Sequence, residues 1–233
     1  MISRALTVVA IIFIASAACA EPITIVQDGQ SEYAIVHAPG APASVTQAAS
    51  ELQGYILRAT GAELPIAKEA GGPAIILGEA AGLETGALAW EGFRIATVEG
   101  NLLIAGRDTA DGAFTPQGGT SAGTRNGVYA FLERFLGVRW LMPGEHGDHV
   151  PVTETLTIPE TDLQDAPFFA NRRLPYVQPE RAEVQEWLLR QRMAIWHGPE
   201  GQSLQLYHGH NWKVIPPEAF ETHPEWFAEH GGA

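Results

Sequence analysis

The chain has 233 residues, 45% of them hydrophobic, with 16 prolines and a single cysteine. That length and apolar content suit one sizeable folded domain, or one domain and part of another, and exclude a disordered chain. The formal net charge of −13 sets the surface against phosphate backbones and anionic lipid, which excludes nucleic acid as a partner and leaves neutral polymers unpenalised.

Residues 1–20 have the pattern of a secretory signal peptide. Arg4 gives a positive start, Leu6 to Ala17 is an apolar run broken only by Thr7 and Ser16, and Ala18-Cys19-Ala20 puts small residues at the −3 and −1 positions before Glu21. The run is too short for a stable bilayer anchor. The expectation is a secreted or periplasmic protein, with no transmembrane anchor after cleavage. Cys19 also stands where a lipidated cysteine would, but Ser16 is a poor residue three positions before one. Cleavage after Ala20 removes the only cysteine, so the mature chain has neither disulfide nor thiol chemistry.

From residue 21 the pattern is of short elements. Ile23 to Val26 and Tyr33 to His37 read as β segments around the turn Asp28-Gly29. An amphipathic helix follows. Ser44 and Gln47 form a capping-box pair, Ala48, Leu52, Tyr55, Ile56 and Ala59 recur at helical spacing, and Gly61 suits the position past its end. Leu64 to Ala67 and Ala74 to Leu77 are apolar runs bounded by Gly and Pro, hence buried strands. Phe93 to Val98 and Asn101 to Ala105 flank Glu99-Gly100 as a hairpin. After a loose stretch from Arg107 to Gly123, a second helix runs from about Arg125 to Leu136. Its stripe is Val128, Phe131, Leu132 and Phe135, and Gly137 ends it. Val138 to Leu141 is a strand stopping at Pro143-Gly144, and Leu156 to Ile158 is another. The order predicts an α+β fold over 21–159, a mostly antiparallel sheet with two helices on one face.

Residues 160–167 are polar and acidic and read as a linker. Beyond them, Phe168 to Leu174 is an expected strand carrying Arg172 and Arg173. Arg181 to Met193 is a helix with Val184, Trp187 and Leu188 inside and an i,i+4 ion pair, Glu186 to Arg190. Met193 to His197 is a second expected strand. Strand, helix, strand opens a β/α barrel, which needs about 250 residues in full. Residues 168–233 are therefore expected to be the incomplete start of a TIM-barrel domain.

Three segments carry a family likeness: ELQGYILRATGAELPI (Glu51 to Ile66), EGFRIATVEGNLLIAGRD (Glu91 to Asp108) and GTRNGVYAFLERFLGVRWLMPGEHGDHVP (Gly123 to Pro151). They resemble the β-hexosaminidase-like second domain that stands before the barrel of several glycoside hydrolases and at the N-terminus of α-glucuronidases. The chain resembles most the bacterial secreted proteins grouped as domain of unknown function 4838. LLRQRMAIWHG (Leu188 to Gly198), HGHNW (His208 to Trp212) and HPEWF (His223 to Phe227) are similar, in that order, to the start of that group's barrel. The resemblance implies a hexosaminidase domain-2-like domain ahead of a barrel, a carbohydrate ligand, and a glycoside-hydrolase-like activity on polysaccharide-derived glycans. It also implies that the catalytic acids belong to later barrel strands, beyond the positions present here. A non-catalytic module that binds a glycan or a partner is the alternative.

Glycoside hydrolysis uses two carboxylates, about 5–5.5 Å apart for retention or about 6.5–9.5 Å for inversion. Glu200, Glu218 and Glu225 have no recognisable acid/base context and read as solvated carboxylates, so no catalytic residue is assigned. In the hexosaminidase relatives an arginine on the first barrel strand bonds sugar hydroxyls, which makes Arg172 and Arg173 candidate substrate-binding residues. Successive strand residues face opposite sides, so at most one points inward; an ion pair with an acid is the competing role. His197, His208, His210 and Trp212, with Tyr207 beside them, offer the aromatic faces and few polar groups that a pyranose site uses. His208-Gly209-His210 lacks the further ligand spacing of a metal site, and neither metal nor cofactor is expected. Gly118 to Gly123 precedes a helix but lacks the lysine of a phosphate loop, so it reads as a plain connection. Trp140 and Trp90 read as packing residues, and His146 and His149 as surface residues flanking a turn.

Overall fold

The structure is a computed structural model, which describes residues 22–116, 119–169, 172, 174, 181–193 and 218–226. The signal peptide expected at 1–20 lies outside the described residues. In chain order the strands and α-helices are β1 (Ile23–Val26), β2 (Ala34–His37), α1 (Ala43–Thr60), β3 (Ile66–Ala67), β4 (Ala74–Leu77), β5 (Phe93–Val98), β6 (Asn101–Gly106), α2 (Gly123–Phe135), β7 (Arg139–Trp140), β8 (Asp148–His149), β9 (Leu156–Ile158), β10 (Asp162–Asp165), α3 (Ala182–Arg190) and α4 (Ala219–Thr222). Among the described residues no helix is long and apolar enough to cross a membrane.

The class is α+β, with a mixed main sheet. Six strands run in the order β10-β5-β6-β4-β2-β3. β10, β5 and β6 pair antiparallel, whereas β6, β4, β2 and β3 pair parallel. A crossover helix returns the chain in its original direction. α1 makes that crossover between β2 and β3, and the hairpin at Glu99-Gly100 supplies the antiparallel half. The two remaining pairings are small antiparallel ribbons, β1 with β9 and β7 with β8. β1 thus joins the far end of the domain rather than β2, its neighbour in sequence.

One core lies between the sheet and the helices. From α1 it takes Val45, Ala48, Leu52, Tyr55, Ile56 and Ala59, and from α2 Val128, Tyr129, Phe131 and Leu132. Facing them are Ile35, Ile75, Leu77, Ile95, Leu102 and Ile104. Alternate strand residues point the other way, so Leu103 and Ala105 join a smaller cluster with Ala81 on the opposite face. Fully burying each Ile, Leu or Phe contributes roughly 1.5–3 kcal/mol. The start of α2 meets the end of β6 backbone to backbone. A Cβ on Gly106 would lie 2.1 Å from the Gly123 carbonyl carbon, and one on Gly123 would lie 2.2 Å from Gly92 O.

The helix ends are tied differently from the expectation. Ser44 does not cap α1: Pro42 holds the N-cap position without a side-chain bond, and Ala43 N–H donates to both Asp111 carboxylate oxygens at 3.0 and 3.2 Å. Gly61, at φ 79°, closes the other end by donating to Leu57 O. Asp108 holds the start of α2, accepting from Thr124 N–H at 3.0 Å and from its hydroxyl at 2.5 Å. Burial pushes the Asp108 carboxyl above its ordinary range although these bonds oppose the rise.

Two further readings change. Residues 162–165, inside the segment read as a linker, form the edge strand β10, secured by Arg94 bonding both oxygens of Asp162. A polar strand is compatible with an edge, where one face stays in water. The strand expected at 168–174 is not seen among the residues of that segment that are described, Phe168, Phe169, Arg172 and Leu174. The helix after it is present as α3, but of the second expected strand only Met193 is described.

Candidate functional site

α3 settles on the helix side of the domain. Val184 and Leu188 are buried, and Trp187 Nε1 and Gln191 Nε2 donate to Trp140 O at 3.0 and 2.6 Å. Trp140 is itself buried among Tyr55 and Tyr129, edge to face with both, and its indole N–H donates to the Tyr55 hydroxyl at 2.8 Å. Its reading as a packing residue matches this placement. Three arginines complete the junction: Arg190 reaches Glu51 at 3.2 Å, Arg192 reaches Glu133 at 2.5 Å, and Arg172 reaches Glu91 at 2.7 Å.

Above this seam, between α1, the β7–β8 ribbon and α3, lies a charged cleft of about 290 Å³. Its floor is Glu51, Tyr55, Asp148 and Arg190. Glu51 accepts from Gln47 at 3.0 Å and from the Tyr129 hydroxyl at 3.2 Å as well as from Arg190. Asp148 accepts from Tyr55 OH at 2.7 Å and from Arg58 Nη1 at 3.0 Å, both on Oδ2. Arg190 Nη1 stands 3.8 Å from Asp148 Oδ1, and Nη2 stands 3.6 Å from Glu186, the i,i+4 partner expected from the sequence. Burial, with the Asp148 bond, pushes the Tyr55 phenol up to about 12. Burial also raises Tyr129, with the Glu51 charge adding to it. Burial opposes the charge on Arg190, but Glu51, Tyr55 and Asp148 outweigh it and hold the guanidinium above its ordinary pKa. Tyr55 therefore stays a neutral phenol and Arg190 a charged guanidinium through the physiological range.

Of the substrate-binding candidates, Arg172 is described. Its guanidinium donates from all three nitrogens, to Arg192 O at 2.7 Å, Phe169 O at 2.6 Å and Glu91 at 2.7 Å. Arg173, His197, His208, His210, Trp212 and Glu200 lie outside the described residues. Glu218 precedes α4, and Glu225 meets His223 Nδ1 at 3.1 Å. Trp90 is half-buried under the Arg107 guanidinium, 3.6 Å above its ring. His146 lies in a 3-10 turn (145–147) and His149 on β8, both exposed. Of the glycine-rich loop, Gly118 is not described; Ser121 donates to Arg107 O and accepts Glu91 N–H, tying the loop to the ends of β6 and β5. Among the described residues no group of three or more His, Cys, Asp or Glu is placed to hold a metal.

The cleft is not predicted by any motif. Glu51, Tyr55 and Arg58 do stand on one helix face, at i, i+4 and i+7, which is a legible polar edge beside an apolar stripe. Asp148 and Arg190 reach them only through the tertiary fold.

No family model matches the chain, and no curated protein matches it. Solved structures do. A family GH115 4-O-methyl-α-glucuronidase with specificity for decorated arabinogalactans superposes with a TM-score of 0.50 at 20% identity, over 73% of this chain and 25% of that one. The fold is shared with a glycoside hydrolase. Looser likenesses include a Streptomyces plicatus β-hexosaminidase (TM-score 0.41, 17% identity, 65% of this chain and 24% of that one) and the GH20 β-N-acetylhexosaminidase of Streptomyces coelicolor (0.41, 16%, 65% and 25%). The chain spans about a quarter of the length of each of these proteins. Shared fold fixes architecture and leaves activity open.

Proposed function

We propose that the chain is an exported carbohydrate-active protein, of the kind grouped as domain of unknown function 4838. In this reading the α+β domain is the accessory domain of a glycoside-hydrolase-like enzyme acting on polysaccharide-derived glycans, and residues 168 onward begin its β/α barrel. The observation that carries the reading is the GH115 likeness over 73% of the chain. The segments resembling barrel-preceding domains support it, as does an acidic surface that spares neutral polymers. α3 would set the position of the barrel start, since Arg190, Arg192, Trp187 and Gln191 all anchor it to the domain. The proposed sugar contacts are Arg172 and Arg173, with His197, His208, His210 and Trp212; Arg172 gives one N–H from each nitrogen to the protein and keeps two more.

A non-catalytic glycan- or partner-binding module is the second reading. It is favoured by the cleft, where Glu51 pairs with Arg190 and Asp148 with Arg58. Affinity electrophoresis of the exported chain through arabinogalactan, xylan and chitosaccharide gels tests the carbohydrate assignment. Retardation by at least one is expected, and free migration through all of them would refute it. The same preparation is expected not to cleave aryl glycosides; turnover abolished by substituting Glu200, Glu218 or Glu225 would show that the chain carries its own catalytic acid. Mass spectrometry of the exported chain is expected to begin at Glu21.

A further inference from the structure

Among the described residues, Asp28, Glu91, Glu99 and Arg192 are the non-glycine residues with a positive φ. Asp28 and Glu99 each precede a glycine that is also left-handed, as a tight hairpin turn requires. Arg192 closes the end of α3, donating its N–H to Leu189 O at 2.8 Å. Glu91, at φ 62°, has a different setting. It is the second central residue of a turn closed by Gly92 N–H to Ala89 O at 3.0 Å, where a positive φ draws glycine or asparagine. Its strained backbone is held by two buried side chains. The Glu91 N–H donates to Ser121 Oγ at 2.7 Å, and the Glu91 carbonyl accepts from Asn126 Nδ2 at 3.1 Å; Ser121 and Asn126 are 2% and 3% exposed. Such an outlier persists only where its surroundings over-determine it, and outliers of this kind cluster at functional sites. Among the described residues the Glu91 carboxylate has one partner, Arg172 Nη2 at 2.7 Å.

We propose that Glu91 is the positioning residue of Arg172, fixing its guanidinium to meet a sugar hydroxyl at the start of the expected barrel. The inference rests on the carbohydrate reading above and adds a residue of the α+β domain to the proposed barrel site. Arg172 bonds three parts of the chain: Phe169 O just before it, Arg192 O past the end of α3, and Glu91. Only Glu91 belongs to the α+β domain, and only Glu91 brings a charge, which makes the stronger bond. Because the Glu91 backbone is tied to Ser121 and to Asn126 of α2, the carboxylate places the guanidinium in the frame of that domain. The two side chains are 16% and 20% exposed, so salt screens them less than a surface pair. Two N–H groups of Arg172 are left for a ligand. An arginine that is already ordered loses less entropy on binding than a free one. Glycine would suit the turn better at this φ, so the carboxylate is what glutamate adds there.

The test compares the exported full-length chain with Glu91→Gly and Glu91→Asn. Both replacements accept a left-handed backbone and shorten the side chain away from Arg172. Both are expected to melt close to the parent. By NMR, the Arg172 guanidinium N–H groups are expected to exchange with water about tenfold faster in both variants, while the α3 amides keep the parent rate. In affinity electrophoresis through arabinogalactan, xylan and chitosaccharide gels, both are expected to bind about three- to tenfold more weakly than the parent. Arg172→Met is expected to bind at least about tenfold more weakly, and adding Glu91→Gly to it to cause no further loss. Glu91→Gln, which keeps an acceptor oxygen, is expected to recover part of the affinity. Parent-like binding by Glu91→Gly and Glu91→Asn, or a further loss in the double variant, overturns the positioning role and leaves the carbohydrate reading standing. Acceleration of the α3 amides together with Arg172, or melting well below the parent in both variants, assigns Glu91 to stability and overturns the role as well. If no gel retards the parent, the wider reading fails and this inference falls with it.

Discussion

Residues 22–165 close around a layer of apolar side chains from α1, α2 and the sheet, with Ile35, Leu52, Ile75, Leu102, Ile104 and Phe131 fully buried. α3 brings two buried apolar side chains, Val184 and Leu188, packs Trp187 and Leu189 half-buried against the core, and adds arginine–carboxylate pairs and two bonds to one carbonyl oxygen. Apolar burial is non-directional. Ion pairs are directional, cost desolvation, and lose much when one partner is removed. The domain is therefore built to fold by itself, whereas α3 is built to be placed.

The most severe test of the domain half is Gly106→Ala. The new Cβ would lie 2.1 Å from Gly123 C and 2.3 Å from Thr124 N, backbone atoms that have nowhere to go. A loss above about 4 kcal/mol is expected, with the far-ultraviolet signal of the native chain gone and α3 released along with its platform. A variant that folds with near-native melting would show that the β6–α2 crossing is not the rigid joint described.

Arg190→Met probes the docking half. It leaves Glu51, whose side chain is 14% exposed, without its cation, while Asp148 keeps Arg58. Breaking one partner of such a cluster costs about 3 kcal/mol. That loss is expected in α3 alone: hydrogen exchange at 183–190 should accelerate while amides of β4 and β6 keep their protection. Equal loss in the sheet would erase the distinction between the two regions.

The same distinction separates what the sequence could tell from what it could not. Period-two and period-3.6 patterns identify β4 and β9 to the residue, the β5–β6 hairpin to within one, and α1 with its Gly61 stop. Those signals are local. Pairing partners are not: Thr24 meets Thr157 across 133 positions, which no pattern near either one encodes. β10, with Leu163 as its one apolar residue, reads as a linker because an edge strand needs little apolar content. The floor of the cleft follows the same rule. Its α1 edge is visible in Glu51, Tyr55 and Arg58, but Asp148 and Arg190 are charged residues of loop and helix until the fold delivers them. Arg172 and Glu91 likewise give no sign of each other, being 81 positions apart.

Capping supplies a smaller and sharper contrast. Sequence spacing nominates Ser44, and the fold uses Asp111, 68 positions beyond the Ala43 N–H it accepts from. Asp111→Ala is expected to cost about 1 kcal/mol, the ordinary worth of an N-cap, and Ser44→Ala is expected to leave the thermal midpoint unchanged. The reverse ranking would restore the local cap.

The smallest effect belongs to the sheet edge, where the domain itself relies on charge. Arg94 donates to both oxygens of Asp162 at 2.7 and 2.8 Å, and this bond holds the Asp162 carboxyl below its ordinary pKa. Asp162 is 61% exposed, so the pair contributes about 0.5 kcal/mol. The unfolded chain takes up the proton first as pH falls. The contribution is therefore whole above the ordinary carboxylate pKa and disappears as pH drops through the depressed one. The protection factors of the β10 amides, taken against the intrinsic exchange rate at each pH, should fall over that acid window, and fall less steeply in Arg94→Gln, which lacks the pair at every pH. Because the pair faces water, added salt should narrow the difference between parent and variant. β6 and β4, two and three places further in, should register none of this, and a response there would mean that the edge and the core unfold as one unit.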